Sequence, residues 1–275
     1  LHRRRHSFPT RRSSDLFSSV IVAGLIIAFI TTFYLKKKDE STRVAGVILE
    51  KRVNAQHEIL KFMEDSSQKF EMPQSYAVEL KELMEDYNFV LPYNPRIQYA
   101  DIFSSVEKYR TFFKEFEELF SKHKLWLDFK VRHKMLLMQA YFSAINSSLI
   151  AFNRIPLPVG IVLSSKEMKN LSEKLLLILG VALDEEFNEL LMELEILMVN
   201  SIYKLDLSRP KNSFLHKYKE NREFKKAEEF LVKKSLMGKY LPSIAVLAMD
   251  LFASVKGVEL SEEQEMEYLN RYSRG

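Results

Sequence analysis

The chain contains no cysteine, and it has only 7 glycines and 8 prolines among its 275 residues. Without cysteine, the protein forms no disulfide, no zinc–thiolate site and no catalytic thiol. So few glycines and prolines argue against an all-β sandwich or barrel, because those folds need many turns. Hydrophobic residues make up 47% of the chain, which is enough for a packed core. A composition rich in Leu, Glu, Lys, Met and Phe therefore predicts an all-α protein.

The chain also lacks a real excess of one charge. Its formal net charge is +4, from 41 basic and 37 acidic residues. The first sixteen residues alone hold five arginines and one aspartate, so residues 17–275 hold 36 bases and 36 acids. Because the remainder is neutral, we expect no nucleic-acid partner.

The first sixteen residues have an unusual reading. The segment His6–Leu16 reads HSFPTRRSSDL, and its back-translation resembles a common short-read sequencing adapter. We therefore expect residues 1–16 to be an artefact and exclude them from the fold. The alternative is the basic n-region of a signal peptide, whose charges would be the five arginines.

One long hydrophobic run is present. Phe17–Leu35 reads FSSVIVAGLIIAFITTFYL and has no charge over nineteen residues. As a helix it would cover about 28 Å, close to the thickness of a hydrocarbon core. A cleaved signal peptide would have a shorter run and a small-residue cleavage site. We predict a single transmembrane helix, with these residues flanking it: Phe17 at its start, and Phe33, Tyr34, Leu35, Lys36, Lys37 and Lys38 at its end.

The lysines predict the orientation of this helix. With residues 1–16 excluded, positive charge lies only after the run, so the positive-inside rule leaves the C-terminal part in the cytoplasm. If the arginines were native, this orientation would weaken or reverse. We therefore predict an anchor with a basic flank over residues 17–38 and a cytoplasmic helical domain over residues 39–275.

The rest of the chain has helical periodicity, and we predict about eight to ten helices. Ser164 and Glu167 form a capping-box pattern, and Gly180, Gly238 and Gly257 are expected just after helix ends. Met135–Asn153 is a second stretch without formal charge, but its amides and hydroxyls favour a core helix over a second membrane span. The predicted helices cover about residues 39–68, 74–90, 98–121, 124–152, 165–179, 184–205, 213–237 and 242–256, and Ser261 and Gln264 are expected to cap a last one.

No motif indicates catalysis or a cofactor. The chain has no Gly-rich phosphate loop and no GxSxG sequence, and its histidines lack carboxylates at metal-ligand spacing. We therefore expect no metal and no cofactor. The alternative is a membrane-bound enzyme whose site is assembled from scattered residues such as Glu58, His133 and Asp184.

Two features remain as candidate binding surfaces. Aromatic residues are dense between Tyr87 and Phe129, which indicates core packing or a groove for an apolar helix. Residues 184–195 are acidic and residues 209–239 are basic, which indicates either an exposed salt-bridged pair or a basic surface for anionic headgroups. The basic surface would comprise Lys217, Lys219, Arg222, Lys225, Lys226, Lys233 and Lys234.

Together these patterns predict a membrane-anchored helical protein. Its partners would be membrane lipid and a protein of unknown identity, and its role would be interaction or scaffolding without catalysis. Beside the membrane-bound enzyme, a carrier of an apolar ligand is the other alternative.

Overall fold

A computed structural model describes residues 12–86, 89, 96–154, 162–203, 214–255, 257, 263 and 266. Within them the chain is almost entirely helical, as the composition predicts. The elements are α1 (Arg12–Ser66), β1 (Lys69–Glu71), α2 (Gln74–Asp86), β2 (Gln98–Ala100), a 3-10 turn (Asp101–Phe103), α3 (Val106–His123), α4 (Phe129–Phe152), α5 (Ser165–Ala182), α6 (Asp184–Tyr203), α7 (Phe214–Glu229), a π turn (Phe230–Lys234) and α8 (Leu236–Val255).

The chain divides into two compact units, residues 1–51 and residues 52–275. The described part of the first unit is helix α1 up to Lys51. The second unit begins with the last turns of α1, whose Ala55, Ile59 and Met63 are completely buried. Those three residues recur at a spacing of four, which puts them on one face of the helix.

Helix α4 is the central element of the second unit. It contacts α3, α5, α6, α7 and α8. Its Tyr141, Phe142 and Ile145 are completely buried, and the hydroxyl of Tyr109 on α3 donates to the backbone oxygen of Phe142 at 2.9 Å. The burial of α4 matches the core helix expected for Met135–Asn153.

The dense aromatic segment forms part of this core. The ring of Phe142 meets those of Phe112 and Phe116 edge-on, with centroids 5.0 and 5.2 Å apart. Phe62 of α1 stacks on Phe112 at 5.5 Å. Edge-on and stacked arrangements are the favourable ones for aromatic pairs, so these rings are packed against one another in the interior.

A short two-stranded antiparallel sheet corrects the predicted helix over residues 98–121. β1 and β2 pair antiparallel, with Phe70 opposite Tyr99. The helix α3 begins only after Ser105, whose hydroxyl accepts the backbone N–H of Lys108 at 3.2 Å. Strands of three residues are too short to show an alternating pattern, which is why the periodicity concealed them.

The predicted helix ends at the glycines are partly wrong. The capping box of Ser164 and Glu167 is present at the start of α5, and Gly257 has a positive φ of 63° just after α8. Gly180, however, lies inside α5 against the Phe103 side chain. Gly238 lies inside α8, where a Cβ would be 2.3 Å from the Leu231 backbone oxygen. Both of these glycines allow a close approach and do not end a helix.

The basic helix predicted over residues 213–237 is interrupted. After Glu229 the backbone widens into the π turn, and the Ser235 N–H donates to the Phe230 oxygen at 2.7 Å. Ser235 is extended, and its hydroxyl accepts the N–H of Gly238 at 3.0 Å at the start of α8. This N-cap separates α7 from α8 without a proline or glycine at the boundary.

Candidate functional site

The predicted anchor flank lies on α1, and its described residues are exposed. Eight large apolar side chains between Leu25 and Leu35, among them Phe33, Tyr34 and Leu35, are 53–74% exposed. Lys36, Lys37 and Lys38 are also exposed. The hydroxyl of Thr32 donates to the Ala28 oxygen at 2.7 Å, so this polar group is satisfied within the helix. Phe17 lies in α1, but its side chain falls outside the described residues.

Only one helix in the described part of the chain is long and apolar enough to cross a membrane by length and composition, and this is α4. Helix α4 is also the centre of the core, with Val131, Met135 and Met138 completely buried. The core helices of soluble proteins also meet this criterion of length and composition. The side chains of residues 17–24, the first part of the predicted span, lie outside the described residues.

The scattered residues of the enzyme alternative have separate partners. Glu58 accepts from Lys122 at 2.5 Å and lies 2.8 Å from Nε2 of His123. The hydrogen bond from Lys122, followed by smaller effects of His123, lowers the pKa of Glu58. Asp184 instead pairs with Lys69 at 2.6 Å.

His133, the third residue of that alternative, lies on α4. Its Nδ1 is 2.9 Å from the Phe129 oxygen, and because a carbonyl only accepts, Nδ1 carries the proton. In the part of the chain that the structure describes, no group of three His, Asp or Glu side chains could hold a metal ion.

The predicted basic surface falls on α7 and the π turn. Arg222, Lys225, Lys226, Lys233 and Lys234 are exposed. Lys217 and Lys219 belong to α7, but their side chains lie outside the described residues. A hydrogen bond from Lys226 at 2.8 Å lowers the pKa of Glu223.

The ion pairs of the described residues do not join the acidic segment on α6 to the basic segment on α7. On α6, Asp184 pairs with Lys69 and Glu193 pairs with Lys134 of α4. None of the ion pairs among the described residues connects α6 with α7. Among the described basic residues of α7, Lys226 pairs instead with Glu223 of the same helix.

Glu186 is buried and serves the fold. Its Oε1 accepts the N–H of Leu236 at 2.8 Å, where α8 begins, and a carboxylate there also favours the helix dipole. The neighbouring Tyr141 hydroxyl is buried, and burial followed by the charge of Glu186 raises its pKa well above the ordinary value of 10.0. Tyr141 is therefore neutral at pH 7.

Three cavities lie around the contact between α7 and α4. The α3–α7 cavity has a volume of about 650 Å³ and is lined by α3, α4, α7 and the turn after α3. The α6–α7 cavity, of about 780 Å³, lies on the side of α6. The α4–α7 cavity, of about 240 Å³, lies between α4 and the end of α7 and the π turn. His133 lines all three.

Helix α6 is apolar on two opposite faces. Its inner face carries Phe187, Leu190, Leu194 and Met198, which are at most 2% exposed. The outer face carries what we call the α6 stripe: Met192, Ile196, Val199 and Tyr203, which are 56%, 53%, 45% and 84% exposed. The stripe residues follow a 4-3-4 spacing, which is the spacing of the a and d positions of a coiled coil.

Carboxylates flank the α6 stripe. Glu189 and Glu195 are exposed on either side of it, and Glu185 lies in line with it two turns before Met192. Sequence reasoning interpreted this segment only as an acidic face and overlooked the stripe. The signal was two apolar stripes half a turn apart on one helix, since a surface helix needs only one.

No family model, curated protein or solved structure matches this chain. The class of protein is therefore described by its own features: an all-α protein with an exposed apolar run on its first helix, an exposed apolar stripe on α6 and cavities around α7.

Proposed function

We propose that the protein is a helical interaction module anchored in a membrane by α1, with its second unit on the cytoplasmic side, and that it binds a protein partner through the α6 stripe. The observation that carries this proposal is α6 itself. A helix that is apolar on opposite faces is typical of a buried helix, yet one face of α6 is exposed.

The anchor is supported by the exposure of Leu25–Leu35 on all sides of α1. In water, such a surface would have to be covered by protein, whereas hydrocarbon covers it directly. The internal hydrogen bond of Thr32 suits a helix in lipid, where each polar group must find its partner within the protein. Lys36, Lys37 and Lys38 then mark the cytoplasmic end.

The partner on the α6 stripe is a basic amphipathic helix. The heptad-like spacing of the stripe suits a partner helix that inserts its own apolar residues. The exposed Glu189 and Glu195 on its flanks favour lysine or arginine on that partner, as the charges beside a coiled-coil seam favour opposite charges.

The same charges argue against two other occupants. An antiparallel second copy of α6 would bring carboxylates against carboxylates, which is unfavourable. A membrane surface carries anionic headgroups, which would repel Glu189 and Glu195. Both occupants are outcomes of the experiments below.

The anchor is tested with the full chain in cell membranes. The protein should stay with the membranes after an alkaline carbonate wash. Because the chain has no cysteine, a single Ser41→Cys substitution just after the lysines reports its side of the membrane. We expect an impermeant maleimide to label it only after the membrane is opened. Release by carbonate, or labelling of intact cells, would contradict the anchor or its orientation.

The stripe is tested with two synthetic helices of the same length and the same leucine seam. One carries lysine beside the seam and its twin carries glutamate. Binding to the full chain in zwitterionic proteoliposomes is followed by fluorescence anisotropy of the labelled peptide. We expect the basic helix to bind at least tenfold more tightly than its acidic twin, and its affinity to fall as salt is added.

Variants assign this binding to α6. Ile196→Gln should weaken the binding of the basic helix at least tenfold, which corresponds to about 1.4 kcal/mol, because a polar group then enters the seam. Val78→Gln on α2 is the matched control, since Val78 is 54% exposed and lies on another helix. Equal binding of the twin peptides, an unaffected Ile196→Gln protein, or no peptide binding would each refute the α6 site. A photo-crosslinker at position 196 that captured lipid or a second copy would also refute it.

A further inference from the structure

The α3–α7 cavity has Arg132 in its lining. Nε of Arg132 is buried and has no hydrogen-bond partner among the described residues. Lys124 lines the same cavity. One carboxylate, Glu117, also lines it, and its Oε1 is held by the Gln139 amide at 2.8 Å. Two basic residues and one acidic residue therefore line the cavity, which favours an anion.

Apolar side chains lead away from this charged end. Leu136 and Phe224 line both the α3–α7 cavity and the α4–α7 cavity. The α4–α7 cavity continues with Ala140, Leu231 and Val232. The two cavities share His133, Leu136 and Phe224 in their linings and are therefore adjacent. We call this adjacent pair the path: Arg132 lies at one end of it, and the other end, under the end of α7, is mostly apolar beside Glu228.

We propose that these two adjacent cavities together bind a small anionic amphiphile, a single alkyl chain that ends in a carboxylate or a phosphate. The head group accepts hydrogen bonds from Arg132 and is attracted by Lys124. The chain lies along Leu136 and Phe224 and ends between α4 and the π turn. The volume of the α3–α7 cavity, about 650 Å³, lies in the range of pockets that hold small molecules.

Two simpler ligands fit less well. A neutral alkyl chain would fill the apolar end but would leave the charges of Arg132 and Lys124 without a counter-ion from the ligand. A free phosphate or carboxylate would satisfy Arg132 but would leave Leu136 and Phe224 exposed, at 43% and 64%. Only a ligand with both parts satisfies both ends of the path.

The single tryptophan makes the test direct. Trp126 lies in the turn after α3 that also carries Lys124 and Leu125, both of which line the α3–α7 cavity. The probes are brominated twelve-carbon chains ending in a carboxylate, a phosphate or an alcohol, and inorganic phosphate as competitor. Quenching of Trp126 fluorescence is measured with the full chain in zwitterionic proteoliposomes.

We expect the binding affinity obtained from Trp126 quenching to be at least tenfold higher for the two anionic chains than for the alcohol. Arg132→Gln should weaken the anionic chains at least tenfold without lowering the thermal midpoint, because Arg132 has no side-chain partner among the described residues to lose. Phe224→Ser should weaken them as well. The matched controls on α7 are Lys225→Gln and Tyr218→Ser, which lie on the same helix but line none of the three cavities.

The outcomes separate the alternatives. Equal quenching by the alcohol would refute the role of Arg132, and full displacement by millimolar inorganic phosphate would refute the role of the chain. Quenching that no variant changes would come from probe dissolved in the bilayer, and this result would refute the site. A complete absence of quenching would also refute it. Lysophospholipid competing with the alkyl phosphate would identify a lipid source, while competition only by fatty acid would identify a free acid.

Discussion

Gly180 on α5 provides the sharpest test of the packing of the second unit. A Cβ at this position would lie 2.5 Å from both Cβ and Cγ of Phe103. These atoms belong to the root of a side chain that is 1% exposed. The Phe103 ring is also held by those of Tyr109 at 5.6 Å and Phe187 at 6.3 Å, so it cannot rotate away without moving its neighbours.

The magnitude for Gly180→Ala follows from two opposing terms. Alanine is favoured over glycine inside a helix by about 1 kcal/mol. Overpacking of a core is unfavourable by about 1–3 kcal/mol, and we take the upper end because contacts at the root of Phe103 require the backbone to move. The net loss in unfolding free energy is about 2 kcal/mol, which corresponds to a fall in the thermal midpoint of roughly 4–8 °C.

The assay is urea and thermal unfolding followed by circular dichroism, with the purified full chain in a mild detergent. Gly46→Ala is the matched control, because Gly46 also lies within a helix but has nothing within 4 Å of the position of its Cβ. That substitution should not lower the midpoint, since only the helix preference changes. A Gly180→Ala protein as stable as the native one would refute the close packing of α5 on Phe103.

Three further predictions follow from polar contacts. Arg52→Met should lower the unfolding free energy by about 2 kcal/mol in urea titration and should alter Trp126 fluorescence, since buried Arg52 donates to the Trp126 oxygen at 3.2 Å. Glu58→Gln should be less stable than the native protein by at most about 1 kcal/mol at pH 7, because this exposed pair with Lys122 is screened by solvent. The lowered pKa of Glu58 means that the deficit shrinks as the pH falls below 4.5, and a constant deficit across a pH series of unfolding curves would contradict it. Ser164→Ala should lower the unfolding free energy by about 1 kcal/mol through loss of the capping box, as measured by urea titration, and an unchanged midpoint would show that the cap adds no stability.

Local signals in the sequence were enough for most helices. The apolar periodicity predicted α2, and the Ser164 capping box and the acidic start at Asp184 placed the beginnings of α5 and α6. These signals work because a cap or a periodic face acts within one or two turns of the chain. The same reasoning failed for α7 and α8, where the break comes from a π turn and the cap at Ser235.

The candidate sites were less accessible from sequence. The α6 stripe is visible as a spacing, but only the fold shows which of the two apolar faces of α6 is covered. Arg132 is one of several bases beside His133, and only the fold shows that its Nε is buried without a partner among the described residues and that the residue lines a cavity between α3 and α7. The basic surface on α7 remains a prediction, and so does the membrane anchor.

Composition and periodicity by themselves determined that this chain is helical and that its first helix carries an apolar run ending at Lys36, because helix preference and hydropathy are properties of neighbouring residues. Only the tertiary structure decided that Gly180 meets Phe103, that Glu186 caps α8, and that cavities remain around α7. These features join residues distant in sequence, and their positions depend on how whole helices pack, which no local pattern encodes.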